Sequence, residues 1–122
     1  MFDSVYDNLY VGDFGAIQNQ DAVKEEGITA IVRLDMSDSK RWRWGKEFTV
    51  LDAGFSDEKS IPDGIIPKVT KFIYQQIETD RVVLVHCAAG ISRSVSLAMA
   101  YLIEYEGMNL AEAFGTVREG RT

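Results

Sequence analysis

Cys87 and Arg93 stand six positions apart, separated only by Ala88, Ala89, Gly90, Ile91 and Ser92. A loop that short and that poor in side chains can curl round an anion, with the sulfur beneath it and the guanidinium beside it. Arginine suits the task better than lysine, because a planar fork grips two phosphate oxygens at once. Oriented backbone N–H groups and Arg93 would favour thiolate over thiol, which makes Cys87 a nucleophile. Each residue taken singly has a plainer account. A lone cysteine after an apolar strand is commonly a small buried hydrophobe, the one histidine, His86, a satisfied structural group, and Gly90 a turn. The spacing of Cys87 and Arg93, with a helical segment opening at once at Ser92-Arg93-Ser94, favours chemistry over all three.

The flanking elements fit that reading. Val82, Val83, Leu84 and Val85 form a continuous apolar run, the pattern of a strand covered on both faces. A strand that passes through a small-residue turn into a helix gathers N–H groups round one point, where the helix N-terminus adds partial positive charge. Such a point binds phosphate. Beyond it, Val95 to Tyr105 is apolar almost all round, as a fully buried helix would be. Gly107 ends that helix, and Asn109 with Glu112 reads as a capping box for another, whose apolar stripe is Leu110, Ala113, Phe114 and Val117.

Upstream, Asn8 to Asp13 reads as a first strand near a sheet edge, and Ala16 to Glu26 as a short helix stopped by Gly27. Ile28 to Leu34 is a buried strand and Phe48 to Asp52 a third candidate strand. Ile65, Ile66, Val69, Phe72, Ile73 and Ile77 fall at helical spacing, giving an amphipathic helix over roughly 65–79, with Pro67 leaving room for a later start than Ile65. Alternating helices and strands predict one α/β domain over residues 1–122. Its central, mostly parallel sheet is flanked by helices, and the phosphate loop lies between the last core strand and a buried helix. In such sheets the loops leaving strand C-termini gather at one edge, so the loop after Leu51 can meet the loop after Val85. Between Asp35 and Lys46, Arg41, Trp42, Arg43 and Trp44 alternate. They could rim a site through cation–π contacts, but the better reading is that the tryptophans anchor the loop while the arginines stay solvated.

The segment His86-Cys87-Ala88-Ala89-Gly90-Ile91-Ser92-Arg93-Ser94 resembles the signature of the cysteine-dependent protein phosphatases: His-Cys, five residues, then Arg. It looks most like the dual-specificity branch. Asn8-Leu9-Tyr10-Val11-Gly12, Ala100 to Ile103, and Ala111 to Phe114 with Val117-Arg118 resemble the same branch, so the likeness runs from about Asn8 to Arg121. It implies hydrolysis of phosphomonoesters through a phosphocysteine. Phosphate would be held by Arg93 and by backbone N–H groups from Ala88 through Arg93, and Ser94 would donate a hydrogen bond to the sulfur. His86 would brace the loop through hydrogen bonds without transferring protons.

Expelling an alkoxide or phenoxide also needs a proton donor. Asp52, Asp57 and Asp63 all lie between the third strand and the next helix. Asp52 falls within the strand, and Asp63 stands at a helix start, where capping is its plainer role. The family carries its acid some thirty residues before the cysteine, which by resemblance selects Asp57. Ala88 and Ala89 carry no charge, whereas phosphoinositide-directed relatives tend to place lysines in this loop. A phosphorylated protein or peptide is therefore the expected substrate, in a shallow site open to phosphotyrosine, phosphoserine and phosphothreonine. The alternative is a catalytically silent phosphate-binding module, a pseudophosphatase, though both nucleophile and acid are present. Redox sensing by Cys87 is a further rival. Family domains commonly continue into a further segment beyond the point where this sequence stops.

The 122 residues are enough for one core without staples. One cysteine and one histidine cannot build a zinc site, and no metal or cofactor is implied. The formal net charge of −6 argues against nucleic-acid and anionic-membrane partners. With no internal disulfide possible and no apolar leader at Met1-Phe2-Asp3-Ser4, the expected location is cytoplasmic. Nothing in the sequence sets an oligomeric state.

Overall fold

Three apolar runs expected to be strands pair side by side in the computed structural model, which describes residues 1–36, 42–56, 60–88 and 92–121. Strands β1 (Phe2–Tyr6), β2 (Leu9–Gly12), β3 (Ile28–Arg33), β4 (Thr49–Asp52) and β5 (Val82–His86) form one sheet in the order β1-β2-β5-β3-β4. β5 runs parallel to both β2 and β3, and β3 runs parallel to β4. Only β1 is antiparallel, joined to β2 through Asn8 at φ 61°. Asparagine tolerates that left-handed backbone, which suits a tight hairpin. The expectation of a first strand near the edge at Asn8 to Asp13 is thereby corrected. That segment is the second strand, and β1 shields it from the edge.

Helices cover both faces, which is why β5 is apolar without alternation. Val83 and Val85 join Ala30 and Val32 beneath α2 (Ile65–Glu78), α3 (Ser92–Tyr105) and α4 (Leu110–Gly120). Leu84 and Ile31 point the other way, into a smaller cluster with Ala16, Val23 and Phe48. On that side the expected helix over Ala16 to Glu26 is split into a 3-10 turn at Phe14–Asn19 and the short α1 (Gln20–Glu25). Asp13 caps the turn by accepting a hydrogen bond from the Gly15 N–H at 2.8 Å.

Two further expectations are adjusted, and the start of the expected helix over 65–79 is settled. α2 starts at Ile65 despite Pro67, because proline in a first turn forfeits only an N–H with no intrahelical partner. Its N-cap is Gly64 at φ 90°, with no side-chain cap, so Asp63 does not have the capping role expected of it. α3 is buried along one face only. Leu97, Ala98, Tyr101 and Leu102 are enclosed, while Ile103 and Tyr105 are 38% and 37% exposed. α4 carries the expected capping box: Asn109 accepts from the Glu112 N–H at 2.8 Å, and Glu112 accepts from the Asn109 N–H at 3.0 Å. Among the described residues, no helix is long and apolar enough to cross a membrane.

Candidate active site

The four parallel strands end together at Gly12, Arg33, Asp52 and His86, which are register partners across the sheet. Cys87 follows at once, 1% exposed, and α3 opens five residues later at Ser92. The stretch leaving β2 serves as a floor beneath the loop. The Gly12 carbonyl accepts from the Cys87 N–H at 3.3 Å, and the Phe14 N–H donates to the Ala88 carbonyl at 3.0 Å. Gly12 is there because a Cβ would lie 2.7 Å from the Met1 carbonyl and 2.9 Å from Phe2 Cβ, inside contact distance. Sequence reasoning missed this floor. Its one local sign is the Gly12-Asp13 turn, which says nothing about what the freed backbone touches.

Ser94, fully buried in the first turn of α3, brings its Oγ to 3.7 Å from Cys87 Sγ and 3.3 Å from the Gly12 carbonyl. One helix turn thus sets a hydroxyl against the sulfur. Arg93, also buried, directs Nη1 at the Phe55 carbonyl, 2.7 Å away, and at the Leu34 carbonyl at 3.3 Å. Those carbonyls are presented by segments that continue beyond the strands. The Ala53 N–H bonds to the Arg33 carbonyl at 2.9 Å and the Phe55 N–H to the Leu34 carbonyl at 3.2 Å, which extends the β3–β4 pairing past Asp52. The loop after Leu51 therefore meets the first turn of α3, through Arg93. A guanidinium tethered this way holds its plane without help from a ligand.

His86 is fully buried and bonded at both nitrogens. Nε2 lies 3.0 Å from the indole Nε1 of Trp44, and Nδ1 lies 3.4 Å from the Cys87 carbonyl. Burial is the main force that pushes its pKa down to about 4, opposed by Asp35 and by the Cys87 carbonyl and helped by Arg33. Arg33 and Asp35 form a buried pair, Nε to Oδ1 at 3.0 Å and Nη2 to Oδ2 at 3.3 Å, and Arg33 Nη1 also donates to the Trp42 carbonyl at 2.9 Å. Trp42 meets Phe14 edge-on, and Trp44 meets Phe48. The tryptophans do anchor their loop, as expected, but the bond from Trp44 to His86 had no sequence signal beyond the Trp-x-Trp alternation.

Of the sequence-predicted site residues, His86, Cys87, Ala88, Arg93 and Ser94 come together, and Ser92 opens α3. Asp57, Ala89, Gly90, Ile91 and Arg41 lie outside the described residues. Asp52 is exposed at the end of β4 and Asp63 is exposed before α2. Among the described residues, no three His, Cys, Asp or Glu side chains converge as a metal site would require.

A family model described as "Dual specificity phosphatase, catalytic domain" matches residues 9–122. Human dual specificity protein phosphatase 26 is 31% identical over 127 residues, covering 98% of this chain and 59% of that protein. Dual specificity protein phosphatase Mpk3 of Drosophila melanogaster is 30% identical over 112 residues, and the alignment spans 91% of this chain but only 27% of the fly protein. Among solved structures, the human tyrosine phosphatase-like serine/threonine/tyrosine-interacting protein superposes with a TM-score of 0.87 at 25% identity, covering 98% of this chain and 83% of its own.

Proposed function

The chain belongs to the dual specificity phosphatase family, and on that premise we propose that it hydrolyses phosphomonoesters on protein side chains through a phosphocysteine intermediate. The observation that carries the reading is the grouping of Cys87 Sγ, Ser94 Oγ at 3.7 Å and the tethered Arg93 guanidinium where β5 passes into α3. In the first step the Cys87 thiolate attacks phosphorus. The S–P bond forms as the P–O bond to the substrate breaks, and Asp57 gives its proton to the departing oxygen. In the second step a water attacks phosphorus, Asp57 takes a proton from it, and the S–P bond breaks to release phosphate and return the thiolate. Arg93 and the backbone N–H groups of residues 88–93 hold the equatorial oxygens throughout. The Ser94 hydroxyl turns from the Gly12 carbonyl to the sulfur and stabilises it as a leaving group.

Phosphotyrosine and, through a shallow site, phosphoserine and phosphothreonine are the proposed substrates. The uncharged Ala88 and Ala89 support a protein or peptide rather than a polyanionic lipid headgroup. The test is hydrolysis of an aryl phosphate, followed by a peptide panel carrying each of the three phosphoamino acids. Cys87→Ser should abolish turnover. Asp57→Ala should reduce it sharply and flatten the acid-to-neutral pH profile. Activity surviving in Cys87→Ser would sink the mechanism, and an unchanged pH profile in Asp57→Ala would move the acid to Asp52 or Asp63. Tight phosphopeptide binding by a parent protein with no turnover would instead make it a binding module.

A further inference from the structure

We propose that Trp44 is a positioning residue, whose indole N–H fixes His86 as the neutral tautomer with its proton on Nδ1, aimed at the Cys87 carbonyl. Its consequence for turnover rests on the phosphatase reading above; the tautomer itself does not. An indole nitrogen can only donate. At 3.0 Å from Trp44 Nε1, the Nε2 of His86 must therefore be the acceptor, which leaves the ring proton on Nδ1, 3.4 Å from the Cys87 oxygen. That carbonyl belongs to the peptide linking the nucleophile to the phosphate loop, so one ring sets the orientation of the loop's first peptide.

The indole is itself held from three sides. Gln20 grips the backbone on either side of Trp44: its Nε2 donates to the Arg43 carbonyl at 2.7 Å, and its Oε1 accepts from the Gly45 N–H at 2.9 Å. Phe48 meets the indole edge-on at 5.0 Å, and the imidazole lies against it at 5.4 Å. Such bracketing is what lets a neighbouring group dictate a tautomer instead of following it. The ionisable groups that act on His86 besides its own ring contacts are Asp35, Arg33 and Asp13. Asp35 is committed to Arg33 at 3.0 Å, Cys87 presents its carbonyl, and Asp13, 40% exposed at its side chain, already accepts from Gly15. A second proton on Nε2 would set two donors face to face. Without the indole N–H that conflict disappears, and the proton can also move to Nε2, turning the Nδ1 lone pair against the Cys87 oxygen.

His86 is the only histidine in the chain, so its ring nitrogens give one unambiguous set of 1H–15N correlations in uniformly labelled protein. The parent should show a protonated Nδ1 and an unprotonated Nε2 that stay unchanged from about pH 5.5 to 8, as expected for a histidine whose pKa is held well below its usual value. Trp44→Phe keeps a ring against Phe48 but removes the donor, and the ring proton of its His86 should be shared between Nδ1 and Nε2. A second variant replaces only the indole N–H by sulfur, using a benzothienyl side chain at position 44, and should behave alike while preserving the packing. In both, kcat for an aryl phosphate should fall about fivefold, the loss of one net hydrogen bond, with KM nearly unchanged. A parent with the proton on Nε2, or variants with the parental nitrogen pattern and kcat, would overturn the proposal. A parent that shows the Nδ1 pattern yet hydrolyses no phosphate would count against the phosphatase reading alone, because the nitrogen pattern is read without turnover.

Discussion

The proposed mechanism gives the Arg93 guanidinium a second job beside its carbonyl tether, and the two together predict how poorly lysine would replace it. Nη1 is anchored on the Phe55 and Leu34 carbonyls, and the proposed mechanism has the planar fork hold phosphate as well. An ammonium is a point charge that cannot keep both anchors and also offer a bidentate grip. Arg93→Lys should therefore lower kcat/KM for an aryl phosphate by at least about a hundredfold, the order expected when one preorganised transition-state donor is lost, with little change in fold by circular dichroism. Ser94 makes a different prediction. If its hydroxyl helps sulfur leave, Ser94→Ala should slow dephosphorylation of the enzyme more than its phosphorylation. Rapid-mixing experiments should then show a burst of phenol near one equivalent, followed by a slow steady state. A uniform fall in both phases would assign Ser94 to packing. The residue scale is also where the sequence was most informative, since Cys87, Arg93 and Ser94 are close neighbours along the chain.

At the scale of elements, the support for the loop comes from strands far away in sequence. Gly12 closes β2 and gives its carbonyl to both Cys87 and Ser94, although it precedes them by more than seventy residues. A methyl group at that position would press on the Met1 carbonyl and Phe2 Cβ, at the start of the adjoining edge strand. Gly12→Ala should cost about 1–3 kcal/mol of stability by overpacking, read as a lower urea midpoint, and should reduce turnover as well because the carbonyl shifts. A loss of stability with kcat unchanged would show that the floor is not coupled to the loop. β1 itself was not anticipated, and the reason is physical. An edge strand with one buried side chain, Val5, has almost no alternation to display, and its existence is settled by pairing with β2. The exposed face of α3 was misjudged for a related reason. Apolar composition told of contact, but α2 and α4 flank the helix without enclosing Ile103 and Tyr105.

For the molecule as a whole, His86 couples folding to pH. Its pKa is about 4 in the fold against an ordinary 6.5, so between those values the unfolded chain holds a proton that the native state rejects. Stability therefore rises with pH across that window, is complete above about 6.5, and is lost as pH falls toward 4. The contribution is on the order of 3 kcal/mol. Urea unfolding of the parent at pH 7 and pH 5 should show the drop. His86→Gln should flatten the part of the slope due to this residue, leaving only that of the carboxylates, and an equally steep slope in the variant would refute the assignment.

The sequence by itself determined the grouping of Cys87, Arg93 and Ser94 along the chain, the α/β class, the parallel core and most element positions. Those follow from short-range facts: the six-residue spacing of Cys87 and Arg93, the apolar run at Val82 to Val85, and the helical periodicity of residues 65–79. Only the tertiary structure decided what braces that loop. The Gly12 floor, the Phe55 and Leu34 anchors of Arg93, and the indole donor of Trp44 all act on it from 38 or more residues away. Two of those three supports are backbone carbonyls, which every residue carries and no sequence pattern distinguishes. Their direction is fixed by strand register, so it becomes visible only when the sheet is assembled.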